Sequence, residues 1–514
     1  MKKTLLWAAL LAALLLLAGC AAADDPTDHS ADNPPQNNAE EPPAEDNTLL
    51  QSFSLPYYQQ ESLDPLTCPD GAHQAIGALL YEGLYALDRH FEPQAMLAES
   101  YRYDPQAYLY SIRVRSGVTF SDGTPLTAVD VAASLLRARS TARYGGRLQE
   151  VLSVTSAEDV VYVTLSRPNA AFIARLDIPI VKAGTENDLV PVGTGRYVWE
   201  QDETGTRLVA NDHYWKQQSL PIRQIPLVPC KDADAAAYAF LSREVQLIAY
   251  DVTGTGSIRV SGRSTYTDAP TSIMQYVGFN TNSPLFSSSA LRAAVAQGID
   301  RNDCVNACLL GHGMAASFPI SPASPAYPAN AALSYSSEAY EQALEEAGYG
   351  AEAETREVVM LVSSENAFRV QAAQRIADGL SRGALRVTVQ SLPWTDFRAA
   401  LAMGSYDLYY GECKLTADWD LFPLLAPGGS LNFSSFTDEA LPELLEKVAT
   451  AGAVGRAAAL RDLYTWLQDA CPFIPVCFKN VSVLLPDKAV DAISPTSADP
   501  FYDLADWTIH WAAE

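Results

Sequence analysis

Histidine is scarce: six in 514 residues, at positions 29, 73, 90, 213, 312 and 510. No H-E-x-x-H, no G-x-S-x-G and no Walker sequence is present, so the zincin, nucleophile-elbow and P-loop routes to catalysis have no residues to run on. No C-x-x-C is present either, and with it goes the common zinc spacing. Positive charge is short as well. Lys and Arg number 35 against 61 acids, a formal charge of −26 that makes nucleic acid and anionic lipid poor partners. Beyond residue 49 no apolar run is long enough to span a bilayer. What remains for an enzyme is a close acidic pair, Asp418 and Asp420, which a hydrolase could use. An extracellular hydrolase is therefore the least favoured reading, and neither a cofactor nor a metal is expected.

The first 47 residues carry localisation signals. MKKTLLWAALLAALLLLAGC joins two lysines to an uncharged run, Thr4 to Gly19, that is too short to span and reads as an export leader. Its end, Leu17-Ala18-Gly19-Cys20, resembles the lipobox of bacterial lipoproteins, which implies cleavage after residue 19 and acylation of Cys20. Residues 21–47 hold eight acids and five prolines with no Lys, Arg or aromatic residue. Such a segment has nothing to bury and reads as a disordered acidic tether. The expected product is a body anchored by lipid to the outer face of the bacterial cytoplasmic membrane, with acyl burial supplying about 0.8 kcal/mol per methylene.

From residue 48 apolar periodicity resumes. LYSIRV, VVYVTL and RVTVQSL alternate or run apolar like strands, while Ala290 to Gln297, Ala339 to Ala347 and Phe368 to Leu380 have helical spacing. The body is therefore α/β. Seven cysteines follow Cys20, at 68, 230, 304, 308, 413, 471 and 477, an odd number that cannot pair completely within one chain. The stretch SGVTFSDGTPLTAVDVAASLLRARS reads as a strand, a turn and a capped helix: Thr127 is the N-cap, Asp130 the short capping-box acid, and Arg137 and Arg139 suit the C-terminus.

That stretch also belongs to a longer order of segments. Ser62-Leu63-Asp64-Pro65 is followed by YEGLYALD, EPQAMLAESY, the FSDGTPLTAVDV corner, PVGTGRYVWE, HYW, YVGFNTNSPLFSSSALRAAVAQGIDR, YSSEAYEQALEEAGY and FIPVCF. In this order the chain resembles the family 5 solute-binding proteins of ABC transporters, the dipeptide, oligopeptide and nickel binders. The resemblance implies a bilobal clamp of the periplasmic-binding-protein kind (type II) with an extra inserted small lobe. The first lobe would take residues 48–75, 185–270 and 485–514, the inserted lobe 76–184, and the second lobe 271–484.

The same resemblance implies function. The protein would capture a solute, foremost short peptides, between its lobes as a monomer and deliver it to an ABC permease and ATPase. A solute-sensing lipoprotein, or a member binding oligosaccharide or a nickel chelate, stays open. Ala417-Asp418-Trp419 matches the family's ammonium-binding aspartate, which places Asp418, with Trp419 and Cys413 of the same GECKLTADWDLF segment, at the ligand. Trp394 of LPWTDF matches a ligand-flanking aromatic, and Thr67, Cys68 and Gly71 lie in the loop whose backbone pairs with the peptide. Where relatives often carry tyrosines, this chain has Cys477-Phe478-Lys479, so Phe478 and Lys479 complete the expected set, Lys479 facing a carboxylate or phosphate. Trp394 and Trp419 would also suit a sugar, and His73 is the sole histidine placed near the cleft loop for a metal chelate.

Overall fold

A computed structural model describes residues 49–512, apart from 69–70, 255–259, 261–262 and 435. The expected leader, Cys20 and the tether lie outside the described residues. Among those described, no helix is long and apolar enough to cross a membrane.

Three sheets carry the body. In the first lobe Tyr197–Asp202, Gly205–Ala210 and Gln224–Cys230 form an antiparallel meander, and Leu55–Tyr58 joins its edge in parallel with Gln224–Cys230. The inserted lobe holds an antiparallel sheet in the order Ala98–Asp104, Leu109–Val114, Val160–Leu165, Val151–Ala157. Its two middle strands are LYSIRV and VVYVTL, and every second side chain of each is buried against the core formed with Phe120, Val131 and Leu135. The third sheet has seven strands and is dominated by two long ones, Ser264–Phe279 and Phe473–Pro486, paired antiparallel from Ser264↔Pro486 to Gly278↔Phe473. Phe473–Pro486 is buried at all but one position, as the apolar runs at its two ends require of a strand covered on both faces. Register breaks between Pro270 and Met274, where Pro270 has no N–H to give, and the Thr271 hydroxyl donates instead to the Lys479 carbonyl at 2.7 Å. The lobe limits expected at 270 and 484 both fall inside these two strands.

The helical patterns take form as Ser289–Gln297, Ser337–Glu346 and Ala367–Leu380. Each starts on a side-chain acceptor, Ser288, Ser336 or Asn366, which holds an N–H of the first turn. The helix Ala128–Arg139 begins at Thr127, whose N–H donates to Asp130 Oδ2 at 3.0 Å, the expected box. Arg137 serves more than a helix end: it grips both oxygens of Asp64 in the SLDP segment, at 2.7 and 2.8 Å, tying the inserted lobe to the first lobe. All seven described cysteines are buried, and burial pushes the thiols of Cys304, Cys413 and Cys471 up to about 12.

Candidate ligand cleft

Two adjoining cavities open among these elements. One, of about 490 Å³, is walled by Tyr81, Arg143 and Arg147 of the inserted lobe, by Lys414 at the end of the strand Leu408–Lys414 with Ala417 and Asp420 beyond it, and by the turn 496–502. Another, of about 520 Å³, lies against the helices Ala72–Leu80 and Ala233–Leu241 and the two long strands. Gln74, Lys414, Thr496, Ser497 and Ala498 face both, so the two are chambers of a single cleft.

Much of the charge in the first chamber is paired in advance. Arg147 meets Asp177, and Arg196 Nη2 meets Asp499 Oδ2 at 2.5 Å while its Nη1 donates to the Phe501 carbonyl at 3.0 Å. Burial works to lower the Arg196 pKa, but Asp499 outweighs it and the guanidinium stays charged. Glu82 accepts from Trp215 Nε1 at 2.8 Å, the Tyr214 hydroxyl at 2.9 Å and the Thr194 hydroxyl at 3.0 Å. Burial raises its carboxyl above the usual value, and those three donors restrain the rise. A solute entering here meets side chains already held in place, so little ordering entropy is lost on binding.

At the floor of this chamber the inserted lobe is fastened to the second lobe by a buried charge cluster. Arg175, fully buried, donates from Nε to Asp418 Oδ2 at 2.7 Å and from Nη2 to Asp420 Oδ2 at 2.9 Å, and its Nη1 lies 3.2 Å from Glu150 Oε1. Asn169 Nδ2 donates to both Asp418 Oδ2 and Glu150 Oε1 at 2.7 Å, Arg167 bridges Glu150 and Asp420, and Arg456 holds the Asp418 carbonyl. Beside it Phe91, on the turn after Tyr85–Leu87, inserts into the second lobe's core and packs edge-on against Trp419 at 5.1 Å. Both residues sit at positive φ, 64° and 54°, a backbone cost that bulky side chains accept only where the surroundings impose it.

Burial works to raise the Asp418 carboxyl, but Arg175, with the Thr416 hydroxyl and the Asn169 amide, outweighs it and holds the group below its ordinary value. A carboxyl depressed by folding stabilises the fold above its unfolded pKa of about 3.9, and that contribution is lost as pH falls through the folded value. Glu150, pushed up by burial, would blur the reading, so the comparison belongs on a Glu150→Gln background. There, the stability lost on Asp418→Asn is expected to be level from neutral pH to about pH 4 and to shrink only below it. Urea titrations at stepped pH check this; a loss that fades between pH 7 and 5 contradicts it.

The profile of the bacterial extracellular solute-binding proteins, family 5 Middle, matches residues 92–423, well over half of the chain. The chain belongs to that family. Its members are binding proteins of transport, not enzymes. Similar curated proteins include the glutathione-binding protein GsiB of Escherichia coli K12, 29% identical over 313 residues, which are 56% of this chain and 59% of that protein's own length. The protein of the same name from Shigella dysenteriae is 27% identical over 463 residues, 82% of this chain and 87% of its own. Among solved structures, a nickel ABC transporter protein from Bacillus halodurans shares the fold with a TM-score of 0.74 at 21% identity, covering 88% of this chain and 98% of that one.

In this family 5 chain the residues expected at the ligand are dispersed. Cys68 lines the first chamber; Gly71 and Lys479 line the second. Thr67 turns to Asp64, its hydroxyl 2.7 Å from Oδ2. Asp418 meets an internal guanidinium where a ligand ammonium was expected, and it is Ala417 and Asp420 on either side that reach the cavity. Trp419, Cys413 and Phe478 are buried in the second lobe's core. Trp394 is 44% exposed, stacks on Phe397 at 6.0 Å and borders neither chamber, so Trp394 and Trp419 do not face the cleft as a pair. Lys479 is buried and paired with Asp251, with Glu412 Oε2 at 3.8 Å, so its charge is matched from within. His73 is a core residue: Nε2 accepts the Tyr58 N–H at 2.8 Å, Nδ1 reaches the Ser62 carbonyl at 3.0 Å, and burial lowers its pKa. Both nitrogens are used, and neither is left for nickel.

Sequence reasoning missed Lys414, Gln74, Arg143, Arg147 and the turn 496–502. Lys414 was within reach, since it stands in the quoted GECKLTADWDLF; the turn, far away near the C-terminus, carried no signal.

Proposed function

We propose that this chain is the substrate-binding component of an ABC importer, capturing a small peptide or peptide-like solute in the two-chambered cleft and handing it to a membrane permease driven by an ATPase. The observation that carries the reading is the cleft itself: two joined cavities of about 490 and 520 Å³, sized for a few residues, walled by prearranged polar groups and small residues. The name of the glutathione-binding relatives supports a peptide-like solute, glutathione being a γ-linked tripeptide. Asp418 then serves to close the floor of the cleft through Arg175, and the polar atoms offered to the solute are those around Lys414, Arg143 and the turn 496–502. Mass spectrometry of small molecules released from protein purified without denaturation tests the reading. A stoichiometric peptide or amino-acid conjugate is the expected result; a metal chelate or an oligosaccharide overturns the peptide class.

The same proposal includes a lipid anchor at Cys20, supported by LAGC and the acidic segment after it. Labelled palmitate is expected to enter the wild type and be absent from Cys20→Ala, which leaves the membrane fraction. Equal labelling of both removes the anchor.

A further inference from the structure

The second chamber differs from the first in what it is made of. Ala72 and Ala75 project from one helix, Ala233, Ala236 and Ala237 from another, and Ala249 from the strand Ile248–Tyr250. Positions 233, 236 and 237 fall on one helix face by their i, i+3, i+4 spacing, in a helix started by Asp232, whose carboxylate accepts the Ala235 N–H at 2.8 Å. Each of these side chains stops at Cβ, so the space that leucine-sized neighbours would fill remains as about 520 Å³ of cavity. Leu55, Leu247 and Val483 complete an apolar wall. Protein interiors close over such space because unfilled apolar volume forfeits packing contacts; a lined cavity that persists beside a ligand cleft is a place for apolar ligand atoms.

Polar residues line the chamber as well, and those on the long strands are already committed. Lys479 pairs with Asp251, and Thr271 donates to the Lys479 carbonyl. Asn480 turns its side chain to the other face of the strand, where its Nδ2 donates to Asp268 at 3.2 Å.

Resting on the reading above, we propose that the second chamber is an apolar side-chain site. The captured solute carries one bulky apolar group, an aromatic ring or a branched aliphatic chain, seated among the alanines, while its polar remainder occupies the first chamber past Gln74 and Lys414.

Calorimetry with Ala-Phe-Ala and Ala-Ala-Ala as probes, on the wild type and on Ala237→Leu, tests this, with thermal melting to confirm that the variant folds. Should it not fold, Ala72→Leu on the facing helix fills the same space. The wild type is expected to bind Ala-Phe-Ala about tenfold to a hundredfold tighter than Ala-Ala-Ala, the range that burying such a side chain supports. Filling the chamber is expected to abolish that preference and leave Ala-Ala-Ala within about threefold, a change confined to one side chain's burial. Equal binding of the two peptides by the wild type, or equal weakening of both by the variant, overturns the inference and leaves the peptide-capture reading standing. If neither peptide binds, saturation-transfer NMR with toluene separates the two. Saturation transfer to toluene in the wild type that vanishes in Ala237→Leu keeps the apolar site and drops the peptide reading, and no transfer in the wild type overturns the site.

Discussion

Arg175→Met is expected to cost about 3–5 kcal/mol of stability in urea unfolding, the usual penalty for removing one partner of a buried ion pair. The methionine fills similar volume, so the loss reports charge and not a cavity. It takes a cation from three carboxylates, Glu150, Asp418 and Asp420, two of which meet the guanidinium within 2.9 Å, and leaves the Asp418 carboxylate without one. Arg167 and Arg456 remain nearby but are already bonded, to Glu150 and Asp420 and to the Asp418 carbonyl. In the double variant with Asp418→Asn the two losses should not add, because the second removes a charge that the first left unpaired. A cost under about 1 kcal/mol would mean that the cluster is solvated and does not fasten the lobes.

A second large effect is expected at Gly195. In PVGTGRYVWE, Gly193 and Gly195 press against the end of the helix Ala72–Leu80: a Cβ on Gly195 would stand 2.3 Å from the Leu79 carbonyl oxygen and 2.4 Å from the Leu80 carbonyl carbon, while the Gly195 N–H donates to the Leu80 carbonyl at 2.9 Å. The obstruction is backbone, so no rotamer relieves it. Gly195→Ala should therefore cost about 3 kcal/mol, the upper part of the range for overpacking. It should also weaken solute binding, because that helix supplies Gln74, Gly77 and Ala78 to the first chamber. Gly146→Ala, whose Cβ would meet nothing within 4 Å, is the control and should be near neutral. Denaturant midpoints of the two variants make the comparison; equal midpoints contradict the packing account.

What could be read from the sequence was local. Thr127 and Asp130 are three residues apart, and their capping box with the helix behind it follows from spacing alone. LYSIRV and VVYVTL reveal their buried faces by alternation. The order of segments points to the family because each is contiguous. The partner of Asp418 was not legible in this way, since Arg175 lies 243 residues earlier and nothing in the sequence near either residue marks the pairing. Arg137 likewise looks like a helix-end cation until the fold brings Asp64 beneath it, 73 residues away in the chain. Lys479 reads as a cation for a ligand's carboxylate or phosphate, yet it lies in a strand buried on both faces and survives there through Asp251. The alanine-walled chamber is the extreme case: a cavity consists of atoms that are absent, and alanines at 72, 75, 233, 236, 237 and 249 mean little until two helices and a strand are brought together.

The central claim is that a solute is held between the lobes, touching both sides of the cleft. Amide hydrogen exchange on protein stripped of its co-purified solute and then reloaded with it tests this most directly, because a ligand that favours one arrangement of a clamp slows opening wherever it makes contact. The account predicts new protection on loading in residues 142–149, 414–424 and 496–502 together, the three walls of the first chamber. Protection confined to one of these walls, or found only outside them, would contradict it.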